Sequence, residues 1–236
     1  MVDKFNRTAL AAGLLIGLSA CVSSGTGNGG GNGGGGSPES FDAFEEEFDD
    51  ITGRIPTSDM PVSGAASYTG GVLIDIDTGT DTLRTLGDLS FSVAFNPAGD
   101  DGSVQNPVSD AQIDNIRVET SAGDTAEWDV TLTQEAAEAA GFDSVVGVTE
   151  TTINAPVVGE ITTRIGALAI SVLGEVDETN AAGLDGSGTM LVTLGGAFFG
   201  AEGAATAGTA TAVFDDDGSD GLLDAAGAGT YTAEQD

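Results

Sequence analysis

From Gly64 onward, apolar and polar residues alternate with a period of two. In LSFSVAFN, Leu89, Phe91, Val93 and Phe95 share one face, while Ser90, Ser92 and Ala94 share the other. EWDVTLT places Trp128, Val130 and Leu132 together, and TMLVTL and GTATAVF continue the pattern. Further strands are predicted over 65–75, 112–120, 145–154, 160–173 and 227–233. Between them sit turn clusters such as DTGTD, NPAGDDGS, SAGD and NAAGLDGSG. Short strands at this spacing predict an antiparallel barrel or sandwich of about eight to ten strands. Closure into a barrel removes the edges that so long a sheet would otherwise expose.

Two stretches carry helical spacing instead. In SFDAFEEEFDDITG, Phe41, Phe44, Phe48 and Ile51 form an apolar stripe between acids. Ser40 is placed to cap the start and Gly53 to end the helix. The stripe is expected to lie on the body of the fold, as such stripes do. TQEAAEAAG predicts one short interior helix, with Thr133 as cap and Gly141 as terminator. Ahead of residue 40 the pattern is of a third kind. Lys4 and Arg7 precede the short apolar run Ala9 to Leu18, which small residues follow. This is the layout of a secretory leader over 1–20, and the run is too short to span a bilayer. Residues 21–39 are mostly Gly, Ser, Asn and Thr and cannot bury enough apolar surface to order themselves. They read as a flexible tether with a root-mean-square reach of roughly 25 Å. The remaining divisions are a helix and connector over 40–63 and a β domain over 64–236.

Charge narrows the partners. Six Lys and Arg stand against 38 Asp and Glu, a net charge of -32. Such a chain repels nucleic acid and anionic membrane surfaces and attracts basic partners. It also has too few aromatic girdles and too many acids for a membrane-spanning barrel. The expected class is therefore all-β: a soluble antiparallel eight-stranded β-barrel after a short amphipathic helix and a Gly-rich tether.

The single cysteine, Cys21, closes the segment Leu18-Ser19-Ala20-Cys21. That segment resembles the lipobox of bacterial lipoproteins. The resemblance implies cleavage before Cys21 and acylation of its thiol, which makes Cys21 the lipid attachment site. Val22 stands where an aspartate would favour inner-membrane retention, so the implied location is the outer membrane. A second resemblance lies in GGAFFGAEGAATAGTATAVF and AGTYTAEQ. These stretches are similar to the closing hairpin of the transferrin-binding protein B barrel family. An aromatic pair and glycine end one strand there, as Phe198, Phe199 and Gly200 would. An alanine-rich turn follows at Ala204 and Ala205, and Gly208 would open the next strand. Gly229 and Tyr231 match its last strand, and Tyr68 and Gly70 its first. The resemblance covers residues 64–236 and implies a lipid-anchored, surface-exposed barrel. Barrels of that group bind a protein or a solute, in some cases beside an outer-membrane transporter. No ligand-contacting residue of the family has a match, so the likeness carries the scaffold and not the ligand.

Catalytic chemistry finds little support. The chain has no histidine, and its one thiol is assigned to lipid. That leaves no common general base and no thiol nucleophile. The expectation is a protein that is not an enzyme and uses no cofactor. DIDTGTD offers Asp75, Asp77 and Asp81 as calcium ligands, and DDDGSDG offers Asp215, Asp216, Asp217 and Asp220. Neither has the spacing of a complete EF-hand loop, and Asp with Gly belongs in hairpin turns anyway. No metal site is assigned. Three functions stand at this point: a surface binder, a structural envelope lipoprotein without a ligand, and a calcium-dependent adhesion module. A binder should expose an apolar patch on its loops, whereas a structural module should be uniformly acidic.

Overall fold

The computed structural model describes residues 36–96, 99, 102–177, 179–184, 186–216 and 224–236. The leader, Cys21 and nearly all of the tether lie outside the described residues, as do Asp217 and Asp220. The first element of the described residues is helix α1 (Phe41–Gly53). Four strands follow: β1 (Gly64–Asp77), β2 (Thr82–Phe95), β3 (Ser103–Thr120) and the short β4 (Thr125–Trp128). Then come β5 (Leu132–Thr133), helix α2 (Gln134–Ala139), β6 (Val145–Ala155) and β7 (Gly159–Val176). The last three strands are β8 (Gly188–Phe199), β9 (Ala205–Asp216) and β10 (Ala225–Gln235).

Every pairing is antiparallel, and the long strands close on themselves in the order β1-β2-β3-β6-β7-β8-β9-β10, with β10 returning to β1. The fold is thus an all-β, barrel-like ring of eight long strands, as the alternation predicts. β4 pairs with β3 alone, and β5 wedges between β3 and β7. The predicted period holds inside the ring. Leu89, Phe91, Val93 and Phe95 are all buried in one core with Trp128, Val130 and Leu132.

Both ends of the ring are plugged. At one end the connector after α1 crosses the opening. Thr57 donates its N–H to the Phe198 carbonyl (2.9 Å), and Arg164 donates to the Ser58 carbonyl (2.8 Å). This seats Met60, fully buried, against Phe198. At the other end the segment after β7 folds inward. Ala181 and Leu184 join the core, and the Trp128 indole donates to the Ala182 carbonyl (2.9 Å).

The helix packs on the outside, as its stripe predicts. Phe44 lies on Leu73 and Leu86, and Ile51 on Ala205 and Ala207. The Ser40 hydroxyl accepts the Ala43 N–H at 3.2 Å, which confirms it as cap. Gly53 ends the helix as its last residue, as expected, and Arg54 is the cap that follows it. The turn out of the helix falls on Arg54, whose guanidinium is held by Asp50 and Glu234, each at 2.6 Å. Helix α2 has its expected cap, Thr133, and Gly141 follows it with φ 94°.

The hairpin likened to the transferrin-binding protein B barrel builds the ring's closing seam. Phe198 turns inward, edge-on to Tyr68 (ring centroids 5.9 Å), while Phe199 packs outside beside Ile51. Tyr68 also stacks on Phe91 at 5.0 Å and donates to the Gly203 carbonyl. Tyr231 is buried with its hydroxyl 3.0 Å from that of Thr206. A Cβ at Gly196 would stand 2.2 Å from the Tyr231 hydroxyl oxygen, so only glycine leaves room for that ring. Gly208 does not open β9 as expected. The Phe199–Ala205 pair already closes the hairpin, so the strand starts three residues earlier.

Candidate functional site

Among the described residues, the hairpin of β6 and β7 projects beyond the ring. The ladder from β3 to β6 ends at the Ser103–Thr149 pair, with one further bond from the Glu150 N–H to the Gly102 carbonyl. The ladder from β7 to β8 ends at Ala167–Ala197. Beyond these points β6 and β7 pair with each other out to Ala155–Gly159, and only Arg164 also bonds the connector, at Ser58 and Met60. Pro156 starts the turn at the tip, and Gly159, at φ 90°, ends it. Local sequence favours this hairpin: Thr-Thr-Ile on one strand faces Ile-Thr-Thr on the other, all β-branched.

Inside the ring, even-numbered residues of these strands point to the core: Val146 and Val148 on β6, Leu168 and Ile170 on β7. Past the ring the same face turns polar, with Glu150, Thr152 and Asn154 opposite Arg164, Thr162 and Glu160. The odd-numbered face turns apolar. Ile153 pairs directly with Ile161, and Ile165 follows on the same face. The hydrophobic alternation has changed phase, and its apolar side now meets solvent. Val157 is 95% exposed and Val158 75% at the tip; Ile165 and Ile153 are more than half exposed. Of the seven exposed large apolar side chains among the described residues, these and Ile161 make five, and Ile55 stands at the same end of the ring. Exposed apolar side chains grouped in this way make the ribbon the candidate surface for association.

Among the described residues the interior is closely filled. The cavity inside the ring, lined by Ile74, Ile113, Trp128, Met190 and others, has a volume of about 20 Å³. That is space for one water. Two open clefts of about 560 and 600 Å³ flank Arg117 on the outside. Its guanidinium is already engaged by Asp88 (3.1 Å) and the Pro38 carbonyl (2.8 Å). Asp114 in the second cleft is pushed up from the ordinary carboxyl range by burial and by Asp88.

No protein-family model and no curated protein sequence matches this chain. The likeness to the transferrin-binding protein B barrel rests on its hairpin residues alone. Those residues do not meet at the ribbon. Tyr68, Phe198 and Tyr231 lie in the core, where they close the seam.

The acidic turns do local work. Asp77 accepts the Gly79 N–H (2.7 Å), and Asp81 accepts from Thr82 (2.8 Å) and from the Ser121 hydroxyl. Asp177 accepts from Thr179 (2.7 Å) and Asn180 (3.0 Å). Among the described residues, no three acidic or thiol side chains group as a metal site. Sequence reasoning placed the two ribbon strands but missed Ile153, Val157, Val158, Ile161 and Ile165 as a site. The available signal was the phase change itself, between Val148 and Glu150 on one strand and between Arg164 and Gly166 on the other.

Proposed function

We propose that this chain is an outer-membrane lipoprotein, acylated at Cys21 and not an enzyme, that binds a protein partner at the cell surface. The scaffold is a single ring of the transferrin-binding protein B kind. The observation that carries the reading is the apolar face of the ribbon, Ile153, Ile161 and Ile165 with Val157 and Val158 at the tip. A purely structural, hydrating module has no use for it in a chain of net charge -32. A filled core favours a protein over a solute as the ligand. The polarity of the fold agrees. The chain enters beside Arg117 at Pro38, and α1 runs from Leu73 toward Ala205, the end from which the ribbon projects. The ribbon thus stands at the end of the ring opposite the entry at Pro38.

The test is crosslinking on intact cells followed by recovery of the full chain. The native protein is expected to bring down an outer-membrane transporter or an external protein. The double variant Val157→Asp with Ile161→Asp should lose that partner while remaining folded and surface-exposed. Equal recovery by both proteins would remove the ribbon from the function.

A further inference from the structure

The ribbon carries more than an apolar face. Its edges are unpaired backbone. In a strand, the N–H and C=O of alternate residues point to the same side. On β7 that side is fixed by Arg164, whose N–H donates to the Ser58 carbonyl and whose carbonyl accepts from the Met60 N–H (3.2 Å). The connector thus lies along this edge as a short parallel addition, recorded as a bridge between Asp59 and Arg164. It leaves the edge after Arg164. The next groups on the same side belong to Thr162 and Glu160, and among the described residues nothing pairs with them. This edge has no proline, no lysine and no bulge between Gly159 and Arg164, and its charged residues are Glu160 and Arg164. Charge selects among strands that would fit. Glu150 has Arg164 opposite it across the ribbon, but Glu160 faces only Asn154. The whole molecule adds a strongly negative field.

We infer that the partner adds a strand to the open β7 edge of the ribbon, hydrogen-bonding the backbone of Glu160 and Thr162 with a segment that alternates apolar and basic residues. An apolar side chain of the segment lies beside Ile161, and a lysine or arginine stands against Glu160. Main-chain bonds supply affinity in such an addition, and alternate side chains supply specificity. This inference rests on the ribbon being the binding surface.

The probe is a capped heptapeptide alternating lysine and valine, added to the full chain in detergent. A block peptide of the same composition serves as control, as does the alternating peptide with its alternate amides N-methylated. The alternating peptide is expected to bind at least tenfold more tightly than either control. It should slow amide exchange at Glu160 and Thr162, and Glu160→Lys should weaken it severalfold. Equal binding of alternating and block peptides would reduce the interaction to bulk charge and overturn the inference. So would binding without protection at those two amides. Protection that appears without peptide and grows with protein concentration would make a second copy of the chain the occupant, which also overturns it. If the ribbon variants lose their cellular partner but the peptide fails these tests, the binding function stands and the added strand falls. If the variants keep their partner, both fall.

Discussion

The two ends of the ring answer the same problem in opposite ways. At one end the turns between β1 and β2, β3 and β4, and β7 and β8 are rich in aspartate. Those described as bonding spend their carboxylates on their own backbone: Asp77, Asp81 and Asp177 each accept an N–H within two or three residues. At the other end the ribbon exposes isoleucine and valine and carries few charges. Acids stand in turns, on α1 and along the ring strands, as at Asp75, Asp88, Asp114 and Glu175, but on the ribbon beyond the ring only Glu150 and Glu160 are acidic. The difference teaches where to look for recognition. An end whose polar groups are satisfied internally has little left to offer a partner, while the ribbon end has both apolar area and unpaired backbone.

The largest expected effect tests how the ribbon end is held. Phe198 is 2% exposed and meets Tyr68, with Met60 close by. Phe198→Ala should cost about 3–5 kcal/mol, the usual range for emptying a buried aromatic site. Urea titration measures it. A loss well under that would mean that the connector and Met60 collapse into the space, so that this plug is adaptable rather than fixed.

The matching change at the acidic end should be smaller. Trp128→Phe keeps most of the buried ring but removes the indole N–H that holds the Ala182 carbonyl. The expected cost is about 1–3 kcal/mol, the low end where the segment reopens and water reaches that carbonyl, the high end where it stays unpaired. Amide exchange should rise over 179–184 and stay unchanged in the ribbon. If the ribbon responds as well, the two ends are not independent units, and the comparison between them weakens.

The fold was legible because its signal is local and repeated. The strict alternation of LSFSVAFN survives into the structure with its four large residues buried, and the α1 stripe finds Leu73, Leu86 and Ala205. Closure of the ring was legible only as a way to hide edges. The β1–β10 and β3–β6 pairings that complete it join residues far apart in sequence. The site was not legible. A period-two pattern reports that a strand has an apolar face but not which way that face points. In the ribbon the pattern persists and only its phase changes, by one residue, which moves every side chain to the other surface. Gly208 shows the same limit on a smaller scale. A glycine that seemed to open a strand sits inside one, because hairpin closure at Phe199–Ala205 sets the boundary.

The smallest effect concerns acid, and its sign should differ between the ends. Asp81 is held below the ordinary carboxyl range first by the Ser121 hydroxyl and then by the Thr82 N–H; Asp177 is held there by the Thr179 hydroxyl and N–H and by Asn180. Glu47 on α1 is pushed up, chiefly by burial; the Thr232 hydroxyl beneath it and Arg54 oppose the rise, while Glu234 and Asp50 add to it. A carboxyl with a lowered folded value stabilises fully above its unfolded value, near about 3.9 for aspartate, and loses that as pH falls through the folded value. A carboxyl with a raised folded value does the reverse. Its ionisation penalty is absent below the unfolded value, near about 4.3 for glutamate, and grows as pH rises through the folded one. Acidifying from neutrality toward pH 4 should therefore tighten α1 while the turns hold; acidifying further should loosen the turns at Asp81 and Asp177. Amide exchange, corrected for its intrinsic pH dependence, reads both ends at once. Glu47→Gln should abolish the tightening of α1 and leave the turns as they were. If α1 and the turns instead loosen together on acidification, titration at these three carboxyls does not distinguish the ends, and the contrast between them is one of shape and polarity alone.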